Sequence, residues 1–88
     1  MIRVAHRGNT RGKNPSDENS PKYVKETLAK GFHVEVDVWL FNKEWFLGHD
    51  DPRYPIAEEF LENDKLVCHA KNEDALHRML KNKNIHCF

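Results

Sequence analysis

The chain carries no excess charge of either sign: fourteen basic and fourteen acidic residues cancel. That balance gives no electrostatic footprint for a polyanion, so no nucleic-acid partner is expected, and it excludes an acidic solvating arm. Cysteine is scarce as well. Cys68 and Cys87 are too few for a disulfide framework and are not spaced as a zinc-binding pair. Both fall in predicted strands and read as reduced, small buried hydrophobes. No apolar run is long enough to cross a membrane, and the chain enters a strand at Ile2 without a basic-then-apolar leader. A cytoplasmic protein without a membrane span is the expectation. Although 32% of the residues are charged, the 39% that are hydrophobic fall in periodic runs, which excludes a disordered tail. Eighty-eight residues allow one small domain, 1–88.

Strand and helix patterns alternate along the chain. Residues 2–5 form a short apolar run that stops at His6-Arg7-Gly8, a strand followed by a turn. Residues 9–19 are rich in Gly, Asn, Ser and Pro and read as a loop. Ser20-Pro21 supplies an N-cap and a first-turn proline for a helix whose apolar stripe is Tyr23, Val24, Thr27 and Leu28, and Gly31 stops it. A Val-rich strand spans 32–41. The Asn42-Lys43-Glu44 turn joins it to a short extended piece at 45–48. Residues 56–61 read as a short helix and 66–70 as a strand. Asn72 caps a helix with Ala75, Leu76, Met79 and Leu80 on one face, and 85–88 begin another strand. This order predicts an α/β fold of parallel βαβ units.

Four polar clusters end or interrupt the apolar runs: His6-Arg7, Glu18-Asn19, Glu35-Val36-Asp37 and His49-Asp50. Alternation along the second strand puts His33, Glu35, Asp37 and Trp39 on one face, and Val34, Val36, Val38 and Leu40 on the other. Two carboxylates on one face of a buried strand are costly unless paired or bound to a cation, and a divalent ion such as Mg²⁺ or Ca²⁺ suits them. The competing reading is a solvent-facing polar edge of a half-buried strand. His6 and His49 each follow an extended run and suit proton transfer near neutral pH, although two unrelated surface histidines would look the same.

Taken in order, His6-Arg7-Gly8, Glu18-Asn19, Glu35-Val36-Asp37 and Gly48-His49-Asp50-Asp51 resemble the N-terminal signature of the glycerophosphodiester phosphodiesterase family. The likeness covers residues 2 to about 72 and only the early part of that family's domain. It implies a partial (β/α) barrel of the TIM type, with about three to four parallel strands and intervening helices. It also implies a metal-dependent hydrolysis of glycerophosphodiesters or related small phosphodiesters. His6 and His49 would be the catalytic acid and base. Arg7 and Lys71 would hold the substrate phosphate. Glu35 and Asp37 would bind the metal, with Glu18 either a further ligand or a support behind the ligands. In the family an acid stands where this chain has His69, two residues before Lys71. An imidazole there either binds the metal, shifting the expected ion from Mg²⁺ or Ca²⁺ toward Mn²⁺ or Zn²⁺, or is a satisfied structural histidine. Because a closed barrel needs far more chain, self-association, a missing C-terminal segment or a compact arrangement different from the family's is expected. A non-catalytic metal- or phosphate-binding descendant is the alternative.

Overall fold

The computed structural model describes residues 4–8 and 18–88. The expected start of the first strand at Ile2 and most of the 9–19 loop lie outside the described residues. Five strands and two helices follow in the order β1 (Val4–His6), α1 (Pro21–Ala29), β2 (His33–Phe41), β3 (Glu44–Leu47), β4 (Tyr54–Ile56), β5 (Leu66–Ala70) and α2 (Glu73–Leu80). A single 3-10 turn, Glu58–Leu61, separates β4 from β5.

β2 is the axis of the sheet. β5 runs parallel along one of its edges, paired with residues 34–38. The other edge is shared: β1 pairs in parallel with residues 33–35, and β3 pairs antiparallel with residues 38–41. β4 then adds antiparallel to β3. The partial barrel of parallel strands with intervening helices is therefore not what forms. The described residues make a small mixed five-stranded sheet with two helices.

The physical reason lies in the turn after β2. Phe41 pairs with Glu44, leaving Asn42 and Lys43 as the two loop residues, at φ 50° and 66°. Successive positive φ values define the tight hairpin turn whose twist matches the flanking strands. The chain therefore returns against β2 at once, with no crossover helix. The expected helix at 56–61 is in fact the end of edge strand β4 followed by one 3-10 turn. At 85–88 only an isolated parallel bridge forms, Cys68 to Cys87, supported by Cys68 N–H donating to the His86 carbonyl (2.7 Å).

The two faces of the sheet have different fates. Val34, Val36 and Val38 are fully buried with Leu47, Leu66 and Cys68, against Val24 of α1, Ala75 and Met79 of α2, and Leu61. Both helices start where the sequence places them. Ser20 Oγ accepts from the Tyr23 N–H (3.2 Å) and Asn72 Oδ1 from the Ala75 N–H (3.1 Å). Leu80, assigned above to the apolar stripe of α2, is instead 65% exposed. Burial, and secondarily the neighbouring Cys87, push the Cys68 thiol up to about 12, so it stays protonated as a core side chain. The opposite face, carrying Glu35, Asp37, Trp39 and Phe41, has no described helix packed on it.

Lys43 has a Cβ in the left-handed region, which costs about 1 kcal/mol that glycine avoids. The K43G variant should therefore gain about 1 kcal/mol, raising the thermal midpoint by roughly 4–8 °C in a domain this size. Calorimetric melting checks it, and an unchanged or lower midpoint would show that the turn is not under this strain.

Candidate functional site

The polar clusters meet on the open face because β2 cannot bury both faces under two short helices. With its valines committed to the core, Glu35 and Asp37 must point the other way. Asp37 is nevertheless only 2% exposed. Other side chains cover it: Arg7, Asn19 and His49 from turns and loops, and His69 from β5.

Arg7 comes from the end of β1. Its own φ of 57° and the 88° of Gly8 turn the chain sharply after His6. Such a conformation costs a non-glycine residue about 1–2 kcal/mol. The turn is held from both sides: Arg7 N–H donates to the Glu35 carbonyl (2.5 Å), and Thr27 Oγ1 of α1 donates to the Gly8 carbonyl (2.8 Å). The guanidinium then reaches three groups. Nε lies 3.1 Å from Asp37 Oδ2 with its hydrogen off line, Nη1 lies 3.4 Å from Glu18 Oε2, and Nη2 lies 3.1 Å from His49 Nε2.

Asn19 holds Asp37 at both ends. Its Nδ2 donates to Oδ2 (3.0 Å), and its Oδ1 accepts from the Asp37 backbone N–H (2.9 Å). Asn19 is fully buried, sits at φ 63°, and donates its own N–H to the Arg7 carbonyl (3.0 Å). Asparagine tolerates this backbone region better than most residues.

His49 follows β3. Gly48 N–H donates to the Asp37 carbonyl (3.1 Å) and its carbonyl accepts from Trp39 Nε1 (2.7 Å). A Cβ at Gly48 would run into the Asp51 carbonyl oxygen, so the bend that presents His49 requires glycine. Guanidinium groups only donate, so His49 Nε2 must accept from Arg7, and its proton must lie on Nδ1. Nδ1 is buried and faces Asp37 Oδ2 at 3.6 Å, too long for a formed hydrogen bond. His69, opposite Asp37 in the β2–β5 register, places Nδ1 3.3 Å from Asp37 Oδ1, and its ring stacks on Phe88 with centroids 5.0 Å apart.

Burial is the largest single influence on the Asp37 carboxyl and would raise its pKa. The hydrogen bonds from Asn19 and then His69, followed by the charges of Arg7 and Lys71, outweigh burial and hold the carboxyl below its ordinary value. Lys71 extends toward the site with its Nζ 6.0 Å from the centre of the Trp39 ring.

The structure thus brings Arg7, Glu18, His49, His69 and Lys71 around Asp37. His6 and Glu35 form an adjoining pair, with Nε2 3.4 Å from Oε1, in a more exposed position. Glu18 reaches Arg7, so it sits beside the guanidinium as a brace. Among the described residues no group of three His, Cys, Asp or Glu side chains stands ready to hold a metal ion. Asp37 Oδ1 receives a hydrogen bond from His69. Glu35 lies two residues away on the same face. Those two carboxylates are the part of the expected ligand set that shares one face of β2. A small cavity of about 180 Å³ opens beside His49, lined also by Glu18, Arg53 and Tyr54. A larger hollow of about 430 Å³ between the β2–β3 hairpin and α2 holds none of the expected site residues. Asn19 is the residue that sequence reasoning missed. The Glu18-Asn19 cluster drew attention to the acid, and a buried asparagine beside a helix N-cap looks like ordinary loop chemistry. No family model, curated protein or solved structure matches the chain.

Removing the Asn19 amide leaves the buried Asp37 carboxylate and N–H without their main partners. The N19A variant should lose about 2–4 kcal/mol in urea unfolding. Because the folded Asp37 pKa is depressed, its contribution is present at neutral pH and is lost as the pH falls below the ordinary carboxylate range. In D37N that acid-limb loss should be visibly shallower than in wild type, measured as unfolding free energy against pH. Parallel acid limbs would remove Asp37 from the account.

Proposed function

We propose that this chain is a metal-dependent phosphodiesterase for small phosphodiesters, in keeping with its resemblance to the glycerophosphodiester phosphodiesterases. One observation carries the reading. The lone-pair nitrogen of His49 is covered by the Arg7 guanidinium, while its other nitrogen faces the buried Asp37 carboxylate. An anionic phosphate is a better partner for Arg7 than a neutral imidazole. With the diester drawn to Arg7 and Lys71, His49 Nε2 is uncovered beside the substrate. It can then take the proton of the attacking hydroxyl, which belongs either to the substrate or to water. Asp37 stabilises the imidazolium that results and keeps the ring oriented, the role a buried carboxylate plays behind a catalytic histidine. His6, paired with Glu35, supplies the proton to the departing oxygen.

Glu35 and Asp37 would hold the divalent ion, and His69, donating from Nδ1, would fix the orientation of Asp37. When bound, the ion supplies charge stabilisation to the phosphoryl oxygens. No helix of the described residues is long and apolar enough to cross a membrane. A cytosolic setting agrees with two free cysteines. Self-association would cover Val4 and Phe88, both more than half exposed. A second reading, a phosphate-binding module without turnover, is favoured by the engagement of Asp37 with Asn19, Arg7 and His69.

Bis(p-nitrophenyl) phosphate hydrolysis with Mg²⁺, Mn²⁺ or Ca²⁺ separates the two. Turnover is expected, falling about 10²–10⁴-fold in H49A with the circular dichroism spectrum unchanged. Calorimetric titration with the same ions should give binding heats that vanish in E35A/D37A and weaken in E35A alone. Phosphate binding without metal-dependent hydrolysis would leave only the second reading.

A further inference from the structure

The open face of β2 does not end at the polar cluster. Two residues beyond Asp37 stands Trp39, and two beyond that Phe41, on the same side of the strand. The two rings are stacked, with centroids 5.9 Å apart and planes 21° from parallel. Trp39 is half-buried and fixed in place, since its Nε1 donates to the Gly48 carbonyl (2.7 Å) next to His49. Phe41 is 42% exposed, a large apolar surface that the core does not use. Lys71 lies between the two regions. Its charge acts on Asp37, and its ammonium stands 6.0 Å from the Trp39 ring centre.

Along this face the order is therefore an acid–histidine centre, a cation, and then a short aromatic shelf. At the ordinary strand rise, Trp39 lies about 7 Å and Phe41 about 13 Å from Asp37. That spacing corresponds to the reach of one substituent on a phosphate held between Arg7 and Lys71. We propose that the Trp39–Phe41 shelf binds a flat heteroaromatic arm of the phosphodiester, so that the preferred substrate class is nucleotidyl rather than glyceryl. This proposal rests on the phosphodiesterase reading of the adjacent centre.

Three features select a flat ring over other arms. Phe41, backed by the Trp39 ring stacked on it, offers an exposed aromatic surface, and base-on-aromatic stacking is tolerant of ring identity. Phe46, paired opposite Trp39, lies on the same face and widens the shelf sideways with a third ring, so the surface is aromatic across the sheet as well as along β2. A quaternary ammonium group, otherwise suited to aromatic faces, would meet the like charge of Lys71.

The test uses ligands that cannot be turned over as diesters. Adenosine monophosphate, glycerol 3-phosphate and phosphorylcholine are titrated calorimetrically into the full chain, and quenching of tryptophan fluorescence is followed in parallel. The nucleotide is expected to bind about tenfold more tightly than glycerol 3-phosphate and to quench Trp39. W39L should erase that margin. F41A, which removes an exposed ring and does not touch the core, should reduce the margin severalfold even if W39L fails to fold. Equal affinities for the three ligands, tighter phosphorylcholine binding, or a margin that survives F41A would overturn the shelf. Any of these would leave the phosphodiesterase reading standing if bis(p-nitrophenyl) phosphate is hydrolysed. Selective nucleotide binding without hydrolysis of any diester would keep the shelf and reject the catalytic reading.

Discussion

Everything on the open face of the sheet depends on the two-point grip of Asn19 on Asp37. A carboxylate placed opposite a core-facing strand position would ordinarily be solvated or would gain a proton on burial. Here the amide supplies a donor to the carboxylate and an acceptor to the N–H of the same residue. The negative charge is kept while the backbone of β2 is locked to the loop that precedes α1. Arg7 and His69 approach a fixed charge as a result, and their own geometry follows from it. Asn72 repeats the device further along β2, accepting from the Leu40 N–H and donating to the Leu40 carbonyl. Two asparagines, each just ahead of a helix, thus fasten the central strand to both helices.

Conformational strain falls in two places, the Asn42-Lys43 turn and the loops where the chemistry is proposed. Arg7 and Asn19 both occupy the left-handed region, and Gly48 occupies a bend that admits no side chain. These costs are sustained by the valine face beneath, where Val34, Val36 and Val38 are wholly excluded from water. Core and site are two sides of one strand. A cavity opened at Val36 would loosen the position of Asp37 as well as the packing of α2.

Much of this was legible from the residues. The alternation in β2 separated core from site, Ser20-Pro21 and Asn72 marked both helix starts, and Asn42-Lys43 marked the turn. The parallel-barrel expectation failed because period-two patterning records which side chains are buried and carries no information on strand direction. The hairpin after Phe41 needed two residues at positive φ, and Asn-Lys is a weaker signal for that than Asn-Gly. β4 was missed because Tyr54-Pro55-Ile56 contains a proline, which argues for an edge or for no strand at all. The convergence of Arg7, His49 and His69 on one carboxylate depends on register between strands distant in sequence. Spacing suggests such a meeting but cannot fix its hydrogen bonds.

Proline in β4 also has a consequence for what the sheet can join. Pro55 pairs with Phe46 at the last antiparallel ladder and has no N–H to offer. A further strand arriving on that side would find a gap in the row of donors, so the ladder is terminated chemically at this margin. Growth by edge-to-edge templating is thereby discouraged on the antiparallel flank. The sheet is polarised in its capacity for recruitment as well as in its two faces.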